Sequence, residues 1–160
     1  MGAALSAPVA GLAFAADGTL WASGGTVFKS PGFVWRITPA GVVEEWLQIP
    51  DAVFLNGCAC LPDENRLLIC ESISGRILAI GRSEQTWSAW ITDDQLRPVN
   101  DTMPGANGIK YRAGYVYVSI TDRNRIERIP IDNDNSAGPI EVVADHVRAD
   151  DFAFSRSGAL

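Results

Sequence analysis

Residues 11–23 read GLAFAADGTLWAS, residues 56–72 read NGCACLPDENRLLICES, and residues 107–119 read NGIKYRAGYVYVS. Laid over one another, each opens on a glycine or an Asn-Gly pair. Each then runs apolar-x-apolar, turns on polar residues, and enters a second apolar stretch. A fourth copy begins at Asp150, DDFAFSRSGAL. Gly11, Gly57, Gly108 and Asp151 hold one register at intervals of 46, 51 and 43 residues. Phe14 and Phe154, and likewise Leu20 and Leu160, stand 140 residues apart. Self-similarity at a fixed period has to be settled before any fold is chosen.

The units match beyond their first hairpin. A third strand is expected at Phe33 to Ile37, Arg76 to Ile80 and Arg125 to Ile129. A fourth is expected at Val42 to Trp46, Trp87 to Trp90 and Ile140 to Val143. These runs are β-branched or aromatic and are bounded by turn residues. No window of 11 or more residues carries a 3.6-residue apolar period. The expected class is all-β. Four strands per unit of roughly 45 residues is the signature of a β-propeller blade. The expected organisation is one incomplete propeller domain over residues 1–160. Its repeats fall near 10–55, 56–106, 107–149 and 150–160: about three four-stranded blades and the start of a fourth. A sandwich would not repeat a four-strand order in register.

Composition agrees. The chain has 160 residues, 47% hydrophobic and 20% charged, enough to bury a core. Its net charge of −6 argues against nucleic acid as a partner, since phosphate binding needs a basic face. No run of 18 apolar residues predicts a membrane span. MGAALSAPVA lacks both a basic n-region and an apolar h-region, so no signal peptide is expected, and the compartment is not specified. Three Cys and one His make neither a disulfide framework nor a zinc finger. Propellers close with four to eight blades, so an arc of three should expose two faces. At ~500 Å² each and ~25 cal/mol/Å², each open face forgoes on the order of 12 kcal/mol. Self-association through those faces is the expected consequence.

In a ring of blades, equivalent positions at the start of each innermost strand converge on the axis. Those positions read Ala10, Asn56, Asn107 and Asp150. Two amides and a carboxylate are oxygen ligands, which suit a hard cation, Ca²⁺ first and Mg²⁺ second. A second account stands beside this one: Asn-Gly is a common turn dipeptide and needs no metal. The segment Pro98 to Pro104 lengthens the second interval and is expected at one mouth of the channel. His146 reads as a solvated connector residue. Cys58, Cys60 and Cys70 read as small core residues. Trp35, Trp46, Trp87 and Trp90 read as inter-blade packing. Asp93-Asp94 and Asp132 to Asn135 read as solvated turns rather than calcium loops.

The stretches LNGCACLPDENRLLICESISGRILAI, PGANGIKYRAGYVYVSITDRNRIERIPID and ADDFAF resemble the regucalcin/gluconolactonase (senescence marker protein) family, in particular its fungal and bacterial members. The resemblance runs from about Gly11 to Leu160. It implies a six-bladed parent and a divalent metal, Ca²⁺ before Mg²⁺ or Zn²⁺, held by a Glu, two Asn and an Asp. Asn56 matches the first Asn, Asn107 the second and Asp150 the Asp, with Asp151 as the neighbouring alternative that the register disfavours. The family Glu belongs two blades before Asn56, so this chain is expected to be blades two to four plus the opening of blade five. The implied activity is hydrolysis of lactones or related esters, a small-molecule chemistry in which Asp150 serves as metal ligand and as base or nucleophile; a fragment lacking the Glu is expected to be inactive. A non-catalytic binding propeller and a strictosidine-synthase-like propeller are the competing expectations.

Overall fold

The computed structural model describes residues 5–62, 65–100 and 103–160. Among these residues twelve strands form three antiparallel four-stranded sheets, each in simple chain order. The first sheet comprises β1 (Val9–Phe14), β2 (Leu20–Gly25), β3 (Gly32–Ile37) and β4 (Val43–Ile49). The second comprises β5 (Leu55–Cys60), β6 (Arg66–Glu71), β7 (Arg76–Gly81) and β8 (Trp87–Thr92). The third comprises β9 (Ala106–Arg112), β10 (Tyr115–Ile120), β11 (Arg125–Pro130) and β12 (Glu141–Asp145). The only helix among the described residues is the 3-10 turn Asp94–Leu96, capped by the Asp93 carboxylate on the Gln95 N–H. The chain is a partial β-propeller of three successive blades.

Blades are joined face to face by two apolar cores. Between the first and second blades, Trp21, Val34, Trp46 and Ile49 meet Leu55, Cys58, Leu67, Ile69, Leu78 and Ile80. Between the second and third, Leu68, Cys70, Ile77 and Leu96 meet Ile109, Val116, Val118, Ile120 and Ile129. Strand alternation explains the division, because successive residues of one strand face opposite neighbours. Cys58 and Cys70 are buried, and burial pushes the Cys58 thiol up to about 12. Both act as small apolar residues, as the spacing predicts. Trp46 packs in the first core and Trp90 against the second, as expected; Trp35 is buried but stacks on Phe33 of its own strand and is part of neither core. Trp87 is not buried: at the start of β8 it is 37% exposed and belongs to neither apolar core. Trp21 takes a core place instead, edge-on to Trp46 at 5.4 Å between centroids.

Residues 146–160 form no strand. Their turn nonetheless repeats the first hairpin at the 140-residue interval. Ala15 N–H donates to Thr19 O (2.9 Å) and Gly18 N–H to Ala15 O (3.0 Å); Ser155 N–H donates to Ala159 O (2.8 Å) and Gly158 N–H to Ser155 O (3.0 Å). Phe154, the counterpart of Phe14, stands edge-on to Tyr117 at 4.8 Å, under the Arg112 guanidinium. Phe14 itself is 74% exposed and Leu12 60%, on the face of the first blade that no other blade of this chain covers.

One buried residue breaks the apolar pattern. Glu127 faces the second interface at the position that holds Trp35 and Leu78 in the other blades, and it is fully buried. Its oxygens receive no hydrogen bond from a described residue, although Arg125 Nε lies 3.1 Å away. Burial holds its carboxyl above the ordinary carboxylate range, with Arg125 and Arg123 pulling it down and Asp93 pushing it up. A raised carboxyl favours the fold in its protonated form. Its contribution is therefore fullest below the ordinary carboxylate pKa and is lost as pH rises through the raised value. Urea unfolding at pH 5 and pH 8 should show Glu127→Leu more stable than the parent by about 1–2 kcal/mol at the higher pH, and less so at the lower. A variant less stable at both would refute this reading of the site.

Candidate axial site

The three inner strands β1, β5 and β9 lie side by side. Glycine makes their approach close. A Cβ built on Gly11 would lie 2.3 Å from Asn56 O, one on Gly57 2.5 Å from Asn107 O, and one on Gly108 2.4 Å from Asp151 Oδ1. Asn56, Gly57, Asn107 and Gly108 all lie within strands, and neither glycine has a positive φ. The turn account of the Asn-Gly pairs is thereby corrected. The glycine is there because the neighbouring strand occupies the place of a side chain.

With the strands this close, the register positions meet in one cavity of about 250 Å³. Ala10, Asn56, Asn107, Asp150 and Asp151 all line it, together with Cys58 and Lys110. The segment Pro98 to Pro104, expected at its mouth, is not part of the lining; residues 101 and 102 lie outside the described residues. Val99 N–H and Asn100 N–H instead donate to the Asp122 carboxylate, and those bonds hold its carboxyl below the ordinary range against the cost of burial. His146 is 95% exposed at its side chain and stands apart from the cavity.

The two asparagines are held alike. Asn56 Nδ2 donates to Ser72 Oγ (3.2 Å), and Ser72 Oγ donates to Ala106 O (2.6 Å). Asn107 Nδ2 donates to Thr121 Oγ1 (2.9 Å), and Thr121 Oγ1 donates to Ala149 O (2.8 Å). A hydroxyl has one proton, and here it is spent on a backbone carbonyl. The hydroxyl can then only accept, so the amide must present its nitrogen. That leaves each Oδ1 without a hydrogen bond from the described residues, on side chains that line the cavity. Ser72 and Thr121 each sit one residue past the second strand of their blade. Neither was singled out in the sequence, although both fall two residues after the equivalent positions Cys70 and Ser119.

Charge completes the site. Asn107 Nδ2 also donates to Asp150 Oδ1 at 2.6 Å. Lys110 Nζ lies 2.5 Å from Asp151 Oδ1. Lys110 has no counterpart in the expected ligand set, because the sequence argument followed only the position before each glycine. Its bond to Asp151 assigns the two adjacent acids different roles: Asp151 is neutralised and Asp150 is not. Asn56 Oδ1, Asn107 Oδ1 and Asp150 make a hard-oxygen set, right in kind for Ca²⁺ or Mg²⁺, with water needed to fill the coordination sphere. Zn²⁺ fits less well, since the thiol in reach, Cys58, is held protonated by burial. Among the described residues no group of three or more His, Cys, Asp or Glu could hold a metal ion.

No protein-family model matches the chain, and no curated protein matches it by sequence. Solved structures do match it in shape. An auxiliary nutrient binding protein from Bacteroides ovatus ATCC 8483 superposes with a TM-score of 0.71 at 13% identity, over 91% of this chain and 34% of that one. A nidogen/laminin complex gives 0.67 at 14% identity, over 92% and 52%. A virginiamycin B lyase from Staphylococcus aureus gives 0.59 at 18% identity, over 87% and 42%. The chain thus spans about a third to a half of the length of these relatives in shape. At such identities the likeness speaks for the propeller fold alone, carried by enzymes and binding proteins alike.

The close approach at the axis yields a direct check. Gly57→Ala should lower stability by about 1–3 kcal/mol in chemical denaturation, because its methyl group meets backbone rather than a yielding side chain. Unchanged stability would mean that the inner strands are further apart than described.

Proposed function

We propose that the axial cavity binds a divalent cation, Ca²⁺ before Mg²⁺ or Zn²⁺, and is part of a site that hydrolyses lactones or related esters. The observation that carries this reading is the meeting of Asn56, Asn107 and Asp150 in one cavity, each asparagine with its amide nitrogen tied back. The resemblance to the regucalcin/gluconolactonase family supports it independently. Asn56, Asn107 and Asp150 would hold the ion. When bound, such an ion supplies Lewis acidity toward a carbonyl oxygen and toward water.

This chain's own residues would divide the work as follows. Ser72 and Thr121 fix the amide planes through backbone carbonyls. Asn107 steadies the Asp150 carboxylate from the side through its Nδ2. Asp150, exposed at the cavity and not ion-paired to a described residue, accepts a proton from water as general base. Lys110 and Asp151 together add no net charge, so the charge of the cavity rests on Asp150.

A second reading, a non-catalytic propeller that binds a small molecule, is favoured by that single uncompensated carboxylate. One acid and two amides hold Ca²⁺ more weakly than two acids do.

Calcium titration followed by thermal unfolding separates the two. At a hundredfold excess over Kd the parent chain should gain about 2.7 kcal/mol. Asp150→Ala, an exposed substitution, should abolish that gain while leaving the fold intact. No calcium-dependent shift in the parent would remove the metal site. A shift without lactone hydrolysis would leave the binding reading in place.

A further inference from the structure

A second cavity, of about 270 Å³, lies between the first and second blades, at the ends of the strands away from the axial site. Asp17 and Thr19 come to it from the first hairpin turn, Trp21 from the start of β2, Arg36 from the end of β3, and Arg82 from just past β7. Trp46 stands between the two arginines. Its ring carries the Arg36 guanidinium at 5.5 Å, and its Nε1 donates to the carbonyl of Gly81, the residue next to Arg82. The indole thus sets the first blade's arginine and the second blade's arginine on either side of one space.

Among the described residues the donors here are short of acceptors. Arg82 makes no ion pair with a described residue; its side chain meets the Cys60 thiol and feels the Asp17 carboxylate at longer range, and its Nε is buried without a hydrogen bond. Trp21 is 2% exposed, and its Nε1 likewise finds no acceptor among the described residues. The one acid in the lining, Asp17, is exposed and accepts from Thr19 N–H at 2.9 Å. Arg36 reaches only the exposed Glu44, at 3.7 Å. The cavity at the next blade interface is different. There Arg66 donates to both the backbone O and the Oδ1 of Asn135. Among the described lining residues two guanidinium groups face one carboxylate, Glu44 standing outside the lining.

Arg82 Nε–H and Trp21 Nε1–H can only donate, so a ligand must bring acceptors, and the arginines ask for negative charge. We propose that this inter-blade cavity is a second binding site, separate from the axial one, which takes the oxyanion end of a small molecule: a carboxylate or a phosphate group.

Inorganic phosphate and acetate are the two probes, each titrated into the full chain and followed by tryptophan fluorescence. Trp21 and Trp46 line this cavity and no tryptophan lines the axial one, so the signal separates the sites. A saturable change with either ion is expected. Phosphate alone would identify a phosphate site, acetate alone a carboxylate site, and each outcome supports an oxyanion. Arg82→Gln should weaken binding about tenfold or more. Ser83→Asp, on the exposed rim, should do the same without touching the core, and it decides the matter if Arg82→Gln does not fold. Lys29→Gln, exposed and outside the lining, should bind as the parent does. No saturable change with either ion, or equal affinity in the parent and Ser83→Asp, would overturn the proposal.

Discussion

The structure depends on how closely neighbouring inner strands approach. At Gly11 and Gly57 the next strand's backbone stands where a Cβ would be, and at Gly108 Asp150 and Asp151 of the following segment do. A blade of this kind cannot bury its faces alone. It gains its core only from the blades beside it. The glycine register lets the narrow ends of the wedges touch, while Trp21, Trp46, Leu67, Leu78 and their neighbours fill the wide part. Serine hydroxyls stitch the same contact. Ser23 Oγ donates to Asn56 O at 2.6 Å, and Ser119 Oγ donates to Asp150 O at 2.9 Å. One requirement, close approach at the axis, thus explains a glycine, a serine and the site residue beside them.

That is why so much was legible in the sequence. The repeated glycine and its preceding residue are visible as letters, and a ring turns equal register into a shared cavity. The turn-forming habit of Asn-Gly pointed elsewhere. It yielded because close contact with the next chain segment, not backbone conformation, is what demands glycine at 57 and 108. Lys110, Ser72 and Thr121 were not legible as parts of the site. A single lysine on a half-buried strand reads as a solvated face, and a hydroxyl after a strand reads as a turn residue. Their roles appear only when the adjacent blade supplies Asp151, Ala106 and Ala149 as partners. Trp87 differs for a local reason: aromatic content marks a strand, but Trp46, also on an outermost strand, is buried because it reaches the next blade at Gly81 O, and Trp87 belongs to neither core.

Glu127 shows the tolerance of this architecture. The equivalent sites hold Trp35 and Leu78, and the pattern alone would place an apolar residue there. A carboxyl at that depth without a hydrogen bond is a standing cost. It is eased by Arg125, which keeps part of its own side chain in water, and by the rise of the carboxyl's pKa. The blades around it stay packed because Ile109, Val116, Val118 and Ile120 carry the interface on their own.

The first blade helps to explain the axial site by what it lacks. Its register position is Ala10, and the place corresponding to Ser72 and Thr121 is Gly25. Amide and hydroxyl are missing together. An asparagine at position 10 without a hydroxyl behind it would have a free amide nitrogen, able to turn a donor as readily as an acceptor toward the cavity. Where the hydroxyl is present, its only proton is committed to the next blade's carbonyl, and the amide oxygen is the atom left to the cavity. The pair acts as a unit that polarises a site toward acceptors. Two such units side by side, followed by Asp150, give three successive positions that can only attract positive charge or hydrogen-bond donors. That directionality follows from counting protons on Ser72 and Thr121, and it holds whatever occupies the cavity.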